Sequence, residues 1–499
     1  MGDCPNFSPG SRLFCLAMKD PSGTRLAVEA EINSTPLGRG LTKAYKLSQT
    51  GFNDMSHEDQ SMKASPSIAQ PIQMEAILRD EGEGPIWMQG VAFAWFLSTF
   101  AIFPGNEFFL YPLALVFIVT LFFERDRVMP ILARCWWIFL IPILSLISFA
   151  WSSYPAETIR FGMFFILSAL SLVIIGALLS ARQILRAFFF CAVAGTALAI
   201  TELPSIQATA VSEYLGQKNF YAMKMMVGMI TGFAVAMNKE ENPLIRMLGL
   251  IMIPINLYLV LAANSTTSML LSFLALVLLI LFQLFWVSSR GIKGLRTLIA
   301  GLGCIVLSLG ALLALGAVNS SVVSEALGAL GKDTTLTGRT ALWEQASRTS
   351  AEHPVLGVGV GSFWQYDVGA AQTLAENDHR DPGTALGFHS SYWESRVHLG
   401  WTGLLCLIFA IGMVIWKAGQ TFFAQATLER SCFFVAALII FAMSFTESFL
   451  FGFFQPAVYI FNLAGITAIV SGYRERRVTL NLIPEDDMEN ITQDRLVPA

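Results

Sequence analysis

Residues 318–399 hold most of the side chains in this sequence that could carry acid–base chemistry. Four of the five histidines lie there: His353, His379, His389 and His398. The imidazole ring titrates near neutral pH, so a histidine that stays neutral can take a proton from a hydroxyl group. We interpret this polar stretch, set between long apolar segments, as the catalytic segment of a membrane enzyme.

His389 is the strongest candidate for a proton acceptor. From Ser390 onward the sequence predicts one helix that runs into the next apolar segment, with Ser390 or Ser391 as the N-cap. His389 then lies beside the positive end of the helix dipole, which disfavours imidazolium and keeps the ring neutral. Glu394 and His398 are spaced i,i+4 and can form a separate pair. The alternative is that His389 is an ordinary polar residue at an interface.

A glycine-alternating run, Gly357, Gly359 and Gly361, follows a predicted helix over residues 339–349. Such glycines either cradle a phosphate or form a tight turn. A dinucleotide fingerprint needs a strand before the glycines and a helix after them, and the sequence predicts no such unit here. The run therefore favours a tight turn, in which glycine tolerates a positive φ.

The composition indicates a polytopic membrane protein. Of the 499 residues, 54% are hydrophobic and 14% are charged, whereas soluble domains carry roughly 25% charged residues. The net charge of −4 excludes a broad basic surface for nucleic acid. The seven cysteines have no paired spacing, so the sequence predicts neither a disulfide framework nor a zinc site, and we assign no metal.

Apolar segments of bilayer length predict an all-α fold with about twelve transmembrane helices. They lie near residues 86–103, 108–123, 131–151, 161–179, 184–203, 221–237, 244–263, 268–287, 295–317, 400–419, 431–451 and 453–471. The expected divisions are a flexible cytoplasmic tail over 1–85, spans one to nine over 86–317, a large and mostly helical loop over 318–399, spans ten to twelve over 400–471, and a cytoplasmic tail over 472–499.

Lysine and arginine concentrate in alternate short loops, which the positive-inside rule places in the cytoplasm. Both termini are then cytoplasmic, and the loop 318–399 faces outward. Four cations in the outward segments run against this trend: Arg160, Lys218, Arg339 and Arg396. We expect them to gather at one membrane face.

Lys224 and Glu447 are ionisable residues inside predicted spans. Such groups are costly in a bilayer unless they are paired or hydrated, and so they indicate function. Lys224 follows Lys218 by about one and a half turns of one helix, so both are expected to line one cavity. The alternative is that Lys224 extends to the membrane interface. Glu447 is the candidate buried partner of Lys224.

Several short motifs follow one another along residues 86–471. They are Trp151-Ser152 through Pro155 to Arg160, Gly216-Gln217-Lys218-Asn219, Ser265-Thr266-Thr267, Leu336-Thr337-Gly338-Arg339-Thr340 with Trp343, His353-Pro354 through Gly357-Val358-Gly359, His389 with Leu399-Gly400, and Thr446-Glu447-Ser448. This order resembles the superfamily of O-antigen ligases and O-antigen polymerases, and within it the exopolysaccharide polymerases of the ExoQ type. Gln217 stands where many relatives have histidine, and Ser390 stands where many have asparagine.

The resemblance implies a GT-C-like, metal-independent glycosyltransferase without a cofactor. Its donor would be a glycan on undecaprenyl pyrophosphate and its acceptor a hydroxyl of another glycan. The product would be a longer exopolysaccharide or O-antigen chain, formed with inversion at the anomeric carbon. The resemblance further implies a bacterial inner-membrane enzyme with its active site on the periplasmic face, and a flippase and a chain-length regulator as partners.

The resemblance also implies roles for individual residues, because a pyrophosphate leaving group departs more easily beside cations. His389 is expected to act as the general base, with Arg339 as the second catalytic residue. The expected pyrophosphate-binding residues are Arg160, Lys218, Arg339 and Arg396. The expected supporting residues are Asn219, Lys224 and Glu447.

Two other functions stay open at this stage. A ligase that joins the glycan to a lipid or protein acceptor would use the same donor. A transporter or flippase would also fit about twelve spans, with Lys224 and Glu447 as a proton-coupled pair, although the two halves of the chain show no matching broken helices.

For the remaining polar residues of the loop we expect structural roles. We expect His398 at the level of the lipid headgroups, and His353 and His379 in solvent. Arg396 either pairs with Glu394 or contacts a headgroup.

Overall fold

A computed structural model of the protein describes residues 14–19, 25–30, 83–101, 106–287, 339–377, 379–381 and 386–481. The chain divides into two compact units, Met1–Ile68 and Ala69–Ala499. In the first unit, strands β1 (Phe14–Lys19) and β2 (Arg25–Ala30) form an antiparallel hairpin. Most of the tail predicted over residues 1–85 lies outside the described residues.

The second unit is helical. Its helices are α1 (Ile86–Phe100), α2 (Asn106–Phe123), α3 (Arg125–Arg134), α4 (Leu140–Ile147), α5 (Pro155–Leu178), α6 (Ala181–Thr209), α7 (Lys218–Met237), α8 (Pro243–Ala262), α9 (Thr266–Leu281), α10 (Arg339–Glu352), α11 (Gly369–Asn377), α12 (Ser391–Ala424), α13 (Leu428–Met443) and α14 (Pro456–Asn481). Short 3-10 turns flank α4 at Trp136–Phe139 and Ser148–Ala150, and a π-turn, Phe282–Val287, extends α9. A small antiparallel pair, β3 (Val211–Ser212) with β4 (Gly216–Gln217), precedes α7.

The length and apolar composition of these helices identify a multi-pass membrane bundle. Among the described residues, seven helices are long and apolar enough to cross a bilayer, or eight if the bent pair Phe108–Phe123 and Arg125–Arg134 forms one span. The seven are α5, α6, α7, α8, α9, α12 and α14. The all-α polytopic class is confirmed. The prediction of about twelve spans is not confirmed, and its ninth span, 295–317, lies outside the described residues.

Both ends of helix α7 lie next to clusters of charged residues. Helix α7 has 20 residues and so extends about 30 Å. Just beyond its C-terminal end, Arg186 Nη2 contacts the buried Glu241 carboxylate at 2.6 and 2.7 Å. Its N-terminal end carries Asn219, which belongs to the cluster described below. The orientation of these ends across the membrane stays a prediction.

Helix α7 lies deep in the bundle because small residues let its neighbour approach closely. A Cβ on Gly249 of α8 would lie 2.8 Å from the carbonyl oxygen of Gly232 on α7. Between membrane helices, where lipid removes the usual hydrophobic driving force, such close backbone contact is a main source of stability. This packing fixes α7, and with it the start of the helix at Lys218 and Asn219.

Helix α12 is broken at Gly400, so the prediction of one uninterrupted helix from Ser390 into the next span is wrong. Gly400 has φ 64° and ψ −158°, a conformation outside the helical region. The break lets Trp401 N–H donate to Pro354 O at 2.9 Å. It also brings Val355 so close that a Cβ on Gly400 would lie 2.3 Å from its carbonyl. The loop segment before the glycine run therefore docks into the kink.

Replacing Gly400 by alanine is expected to destabilise the protein, by about 1–3 kcal/mol for the backbone strain alone, because the new Cβ meets the Val355 backbone. The thermal transition of the detergent-solubilised protein should fall. The matched control is Gly412→Ala in the same helix, where a Cβ meets nothing within 4 Å. An unchanged transition for Gly400→Ala would show that the kink relaxes without cost.

Candidate functional site

Glu447 lies outside any helix, in the segment between α13 and α14. The sequence predicts a span over 431–451, but α13 ends at Met443, and that boundary of the prediction is wrong. The helix ends there because backbone groups of the next turn bind α12 instead: Ser391 N–H donates to Ser444 O at 3.0 Å and to Glu447 O at 3.2 Å. Glu447 is thus fixed beside the N-terminal turn of α12.

The Glu447 carboxylate joins three other segments of the chain into one cluster. Its Oε1 accepts from Arg339 Nη2 at 2.6 Å and from Asn219 Nδ2 at 2.6 Å. Its Oε2 lies 3.0 Å from Nδ1 of His389. The carboxylate side chain is only 4% exposed, whereas Arg339 and His389 are 17% and 21% exposed. We call these four residues the Glu447 cluster; its arginine and histidine are partly exposed and its glutamate is buried.

The contact with Glu447 fixes the tautomer of a neutral His389 ring. A carboxylate can only accept a hydrogen bond, so the hydrogen lies on Nδ1 and the lone pair on Nε2. Since the ring is partly exposed, this lone pair can accept a proton from a bound molecule. A carboxylate at Nδ1 also stabilises the imidazolium that forms when Nε2 takes a proton.

The backbone of His389 is held in a strained conformation. Its φ is 48°, in the left-handed region that non-glycine residues rarely adopt. Hydrogen bonds fix both backbone polar groups of the preceding residue, Phe388. Its N–H donates to Glu394 Oε1 at 2.6 Å, and its carbonyl oxygen accepts from Trp343 Nε1 at 2.8 Å. Strain of this kind persists only where the surroundings over-determine it, and it concentrates at functional sites.

Glu394 also forms the predicted i,i+4 pair, with its Oε2 3.3 Å from Nε2 of His398. His398 is buried, stacks on Phe451 and lies 3.2 Å from Gly359 O. His398 is thus enclosed by protein and does not face lipid headgroups, and its depth in the membrane stays a prediction. The kink at Gly400 turns this face of α12 against the glycine run, and the buried pair supports the segment that carries His389.

The loop helices α10 and α11 pack around a small hydrophobic core that is separate from the core of the bundle. Leu342 of α10, Leu374 of α11, Phe363 and Phe388 are buried together, apart from the main core of the bundle. The predicted helix over 339–349 is observed as α10. This core fixes the start of α10, and so it places Arg339 beside Glu447.

Asn219 links the cluster to Ser265, the N-cap residue of α9. Its Oδ1 accepts from Ser265 Oγ at 2.9 Å, while its Nδ2 donates to Glu447. Lys218 is the adjacent residue, and its backbone N–H donates to Ala210 O. Asn219 thus binds Oε1 of the Glu447 carboxylate, whereas His389 contacts Oε2.

Lys224 is buried, but it is not the partner of Glu447. Its Nζ donates to Leu215 O at 3.1 Å, and its side chain is almost fully enclosed. The prediction that Glu447 pairs with Lys224 is wrong, because the carboxylate is taken up by Arg339, Asn219 and His389. Lys224 instead holds the short β3–β4 connection against α7.

Arg160 and Arg396 have other contacts among the described residues. Arg160 lies 3.6 Å from Glu157 and over the rings of Phe161 and Phe164. Arg396 donates to Pro354 O at 2.7 Å and stacks on Trp401, so it is not paired with Glu394. Within the described chain, no hydrogen bond or ion pair joins either arginine to the Glu447 cluster. Their roles at a pyrophosphate stay predictions.

The glycine run is a turn, as the sequence predicts. Gly357, Gly359 and Gly361 all have positive φ. A Cβ on Gly359 would lie 2.7 Å from Ser152, and Thr158 Oγ1 donates to Val360 O at 2.8 Å. The motif that begins at Trp151 therefore holds the loop in place.

Other polar groups of the outer segments have structural contacts. Tyr154 donates to Asp367, and this hydrogen bond raises the pKa of the tyrosine above its ordinary value. His353 and His379 are exposed, as predicted. Among the described residues, no group of three or more His, Cys, Asp or Glu side chains is arranged to hold a metal ion.

These features define a multi-pass α-helical membrane protein with a histidine–glutamate–arginine cluster at one end of its helices. Residues 250–408 match the model of a family described as O-antigen ligase. Over 285 residues the chain is 25% identical to the exopolysaccharide production protein ExoQ of Rhizobium meliloti (strain 1021), a match that covers 55% of this chain and 63% of that protein. The resemblance to O-antigen ligases and polymerases, in its ExoQ-like form, is confirmed. Arg339 and His389 lie inside the family match, and Asn219 and Glu447 lie outside it.

Proposed function

We propose that the protein is a polysaccharide polymerase that transfers a glycan from undecaprenyl pyrophosphate to a hydroxyl of an acceptor glycan. The observation that carries the proposal is the Glu447 cluster, in which a partly exposed imidazole of fixed tautomer lies beside an arginine on the same carboxylate. The similarity to an exopolysaccharide production protein supports this class of product. We place the site on the periplasmic face of the bacterial inner membrane, where a flippase would deliver the donor and a chain-length regulator would act.

In the proposed reaction, the acceptor oxygen attacks the anomeric carbon of the donor. Nε2 of His389 takes the hydroxyl proton, a new C–O bond forms, and the bond from the anomeric carbon to the pyrophosphate oxygen breaks. The pyrophosphate leaves with the electron pair. Direct displacement at one carbon inverts its configuration, and the proton transfer contributes about 10² to 10⁴ in rate.

Arg339 is proposed to stabilise the leaving pyrophosphate. Its bond to Glu447 uses Nη2, and a guanidinium carries five N–H donors in a planar fork, so the group can also bind phosphate oxygens. Glu447 offsets one positive charge, however. Further cations are therefore needed at the donor, and we propose Lys218 and Arg160, with Arg396 as a fourth candidate and Lys224 as a supporting residue.

The second candidate function is a ligase with the same donor, which the description of the matched family favours. The transporter hypothesis depended on a proton-coupled pair of Lys224 and Glu447. The two residues do not pair, because Lys224 donates to Leu215 O and Glu447 binds other residues. The ligase and the polymerase share the proposed chemistry and differ in the acceptor.

Purified protein in liposomes, given the lipid-linked repeat unit from a strain that lacks the protein, is expected to produce a ladder of longer lipid-linked chains. No ion gradient should be needed, because the pyrophosphate bond supplies the driving force. A donor that is consumed only when a lipid core or protein acceptor is added would instead show a ligase. A donor that stays unchanged with every acceptor would contradict both functions.

A further inference from the structure

A second histidine–glutamate pair, Glu394 and His398, lies buried beside the Glu447 cluster. Oε2 of Glu394 lies 3.3 Å from Nε2 of His398, and the two side chains are only 8% and 6% exposed. Nδ1 of the same ring lies 3.2 Å from Gly359 O, and the ring is stacked on Phe451. Because the pair is enclosed by protein, it can affect a bound molecule only through other residues.

The other carboxylate oxygen of Glu394 binds both segments that carry the reacting pair of the cluster. Its Oε1 accepts from Phe388 N–H at 2.6 Å and from Ser448 Oγ at 3.1 Å. Phe388 directly precedes His389, and Ser448 directly follows Glu447. One oxygen atom therefore fixes the separation of the two backbone segments from which His389 and Glu447 project.

Gly387 gives the carboxylate room to reach this peptide. Its φ is 73°, and a Cβ at this position would lie 3.1 Å from Oε1 of Glu394. Glycine adopts a positive φ at no steric cost, and it has no side chain to separate the carboxylate from Phe388 N–H. The close contact thus depends on a residue type on each side, glycine in the loop and glutamate in α12.

The hydrogen-bond partners of His398 show that the pair holds an additional hydrogen. Gly359 O and an ionised carboxylate can only accept hydrogen bonds, whereas a neutral imidazole has a single N–H. Hydrogen bonds at both ring nitrogens therefore need a second hydrogen, either on the ring or on the carboxyl group of Glu394. In both forms the pair has no net charge, which suits its burial, because an unpaired buried charge is strongly destabilising.

We propose that Glu394 and His398 are positioning residues for glycan transfer, which hold His389 and Glu447 at the distance that fixes the tautomer of His389. The inference rests on the proposed function, in which His389 is the base. His398 fixes Glu394 through the shared hydrogen, and Glu394 fixes the two backbone segments through Oε1. A reacting group that is misplaced by about 1 Å can lose about 10²-fold in rate.

The test compares Glu394→Gln with Glu394→Ala in the liposome assay. The glutamine carbonyl still accepts from Phe388 N–H and Ser448 Oγ, and its NH₂ group supplies the hydrogen that faces Nε2 of His398. Glu394→Gln should therefore leave kcat unchanged. Glu394→Ala removes all of these contacts and should lower kcat by about 10- to 100-fold. The KM for the lipid-linked donor should stay constant, because neither residue of the pair touches the donor.

Two further variants serve as controls. Glu447→Gln turns its NH₂ group toward Nδ1 of His389 and is expected to lower kcat, so the same change at two buried glutamates should have opposite effects. Ser395 is adjacent to Glu394 in α12 and fully buried, and its Oγ has no hydrogen-bond partner among the described residues. Ser395→Ala should leave kcat unchanged. An equal loss in Ser395→Ala and Glu394→Ala would contradict a positioning role.

The tautomer of His389 provides a measurement that does not depend on transfer. It is observed by NMR of the detergent-solubilised protein with ¹⁵N-labelled histidine, and the signals of His389 are those that disappear in His389→Asn. The unaltered protein and Glu394→Gln should show the hydrogen on Nδ1. Glu394→Ala should show a mixture of both tautomers. Ser448→Ala removes only one contact of Oε1 and should change kcat and the tautomer in the same direction, so the test stands even if Glu394→Ala does not fold.

Several results would overturn the inference. Normal kcat and an unchanged tautomer in folded Glu394→Ala, or in Ser448→Ala, would show that the pair does not position His389. A Glu394→Gln protein as slow as Glu394→Ala would show that the pair acts by charge and not by a shared hydrogen. If the unaltered protein transfers no glycan to any acceptor, the proposed function fails, and the NMR signals of His389 still decide whether the pair positions the ring.

Discussion

Replacing His389 by asparagine is expected to slow glycan transfer by about 10²- to 10⁴-fold. Asparagine keeps an N–H donor near the position of Nδ1, so the contact with Glu447 can persist. It also tolerates the left-handed backbone, here φ 48°, better than most residues. What it lacks is Nε2, the proposed proton acceptor. The loss should therefore appear as a lower kcat in the liposome assay, with the fold and the bound donor retained.

His379 provides the matched control for this substitution. It is also a histidine with positive φ, 53°, and it is exposed. His379→Asn should leave the rate of transfer unchanged. A His389→Asn protein that forms polymer at a rate close to normal would contradict the role of His389 as general base. Equal losses in both variants would point to a general defect of the loop.

The position of His389 just before a helix N-terminus could be predicted from the sequence, because helix-start signals are local. Its role as a base stays a prediction. Most helices could also be predicted, because their apolar runs are visible in the chain. The end of α13 was misplaced because residues 444–451 are apolar enough to continue a span. What stops the helix is the binding of Ser391 N–H to Ser444 O and Glu447 O, a contact between segments more than fifty residues apart.

The sequence shows that Glu447 is an unusual residue, but it does not show which side chains its carboxylate binds. An ionisable residue in an apolar sequence indicates function, yet periodicity does not show which neighbour the carboxylate meets. Lys224 was a reasonable partner by charge, whereas the observed partners are Arg339, Asn219 and His389. Their arrangement depends on the loop helices packing their own small core, and no local pattern predicts that.

The break at Gly400 and the burial of His398 have one common cause. A glycine inside a helical pattern is often only a weak helix former, so the sequence favoured continuity. In the structure, φ 64° at Gly400 is stabilised by Pro354 and Val355. The same docking covers His398 with Gly359. Both follow from a tertiary contact between the loop and α12.

The second large effect is expected for Glu447→Gln, which changes the tautomer of His389 without removing a side chain. The glutamine carbonyl can still accept from Arg339 and Asn219, and its NH₂ group then faces Nδ1. An N–H donor at that position requires the lone pair on Nδ1 and moves the ring hydrogen to Nε2. Nε2 then carries a hydrogen and cannot take the proton of the acceptor hydroxyl. The rate of transfer should therefore fall by about 10²- to 10⁴-fold, the range for loss of a general base.

The distribution of this loss between kcat and KM separates positioning from a structural role. Loss of the carboxylate charge makes the net charge of the cluster more positive, because Arg339 is no longer paired with an anion. The KM for the lipid-linked donor should therefore stay constant or fall while kcat drops. The matched control is Glu241→Gln, since Glu241 is also a buried carboxylate paired with an arginine, Arg186, at the other end of α7. That variant should lower the thermal transition and leave kcat unchanged. If Glu447→Gln lowers the thermal transition as Glu241→Gln does and keeps its kcat, Glu447 is structural, and the fixed tautomer of His389 has no part in transfer.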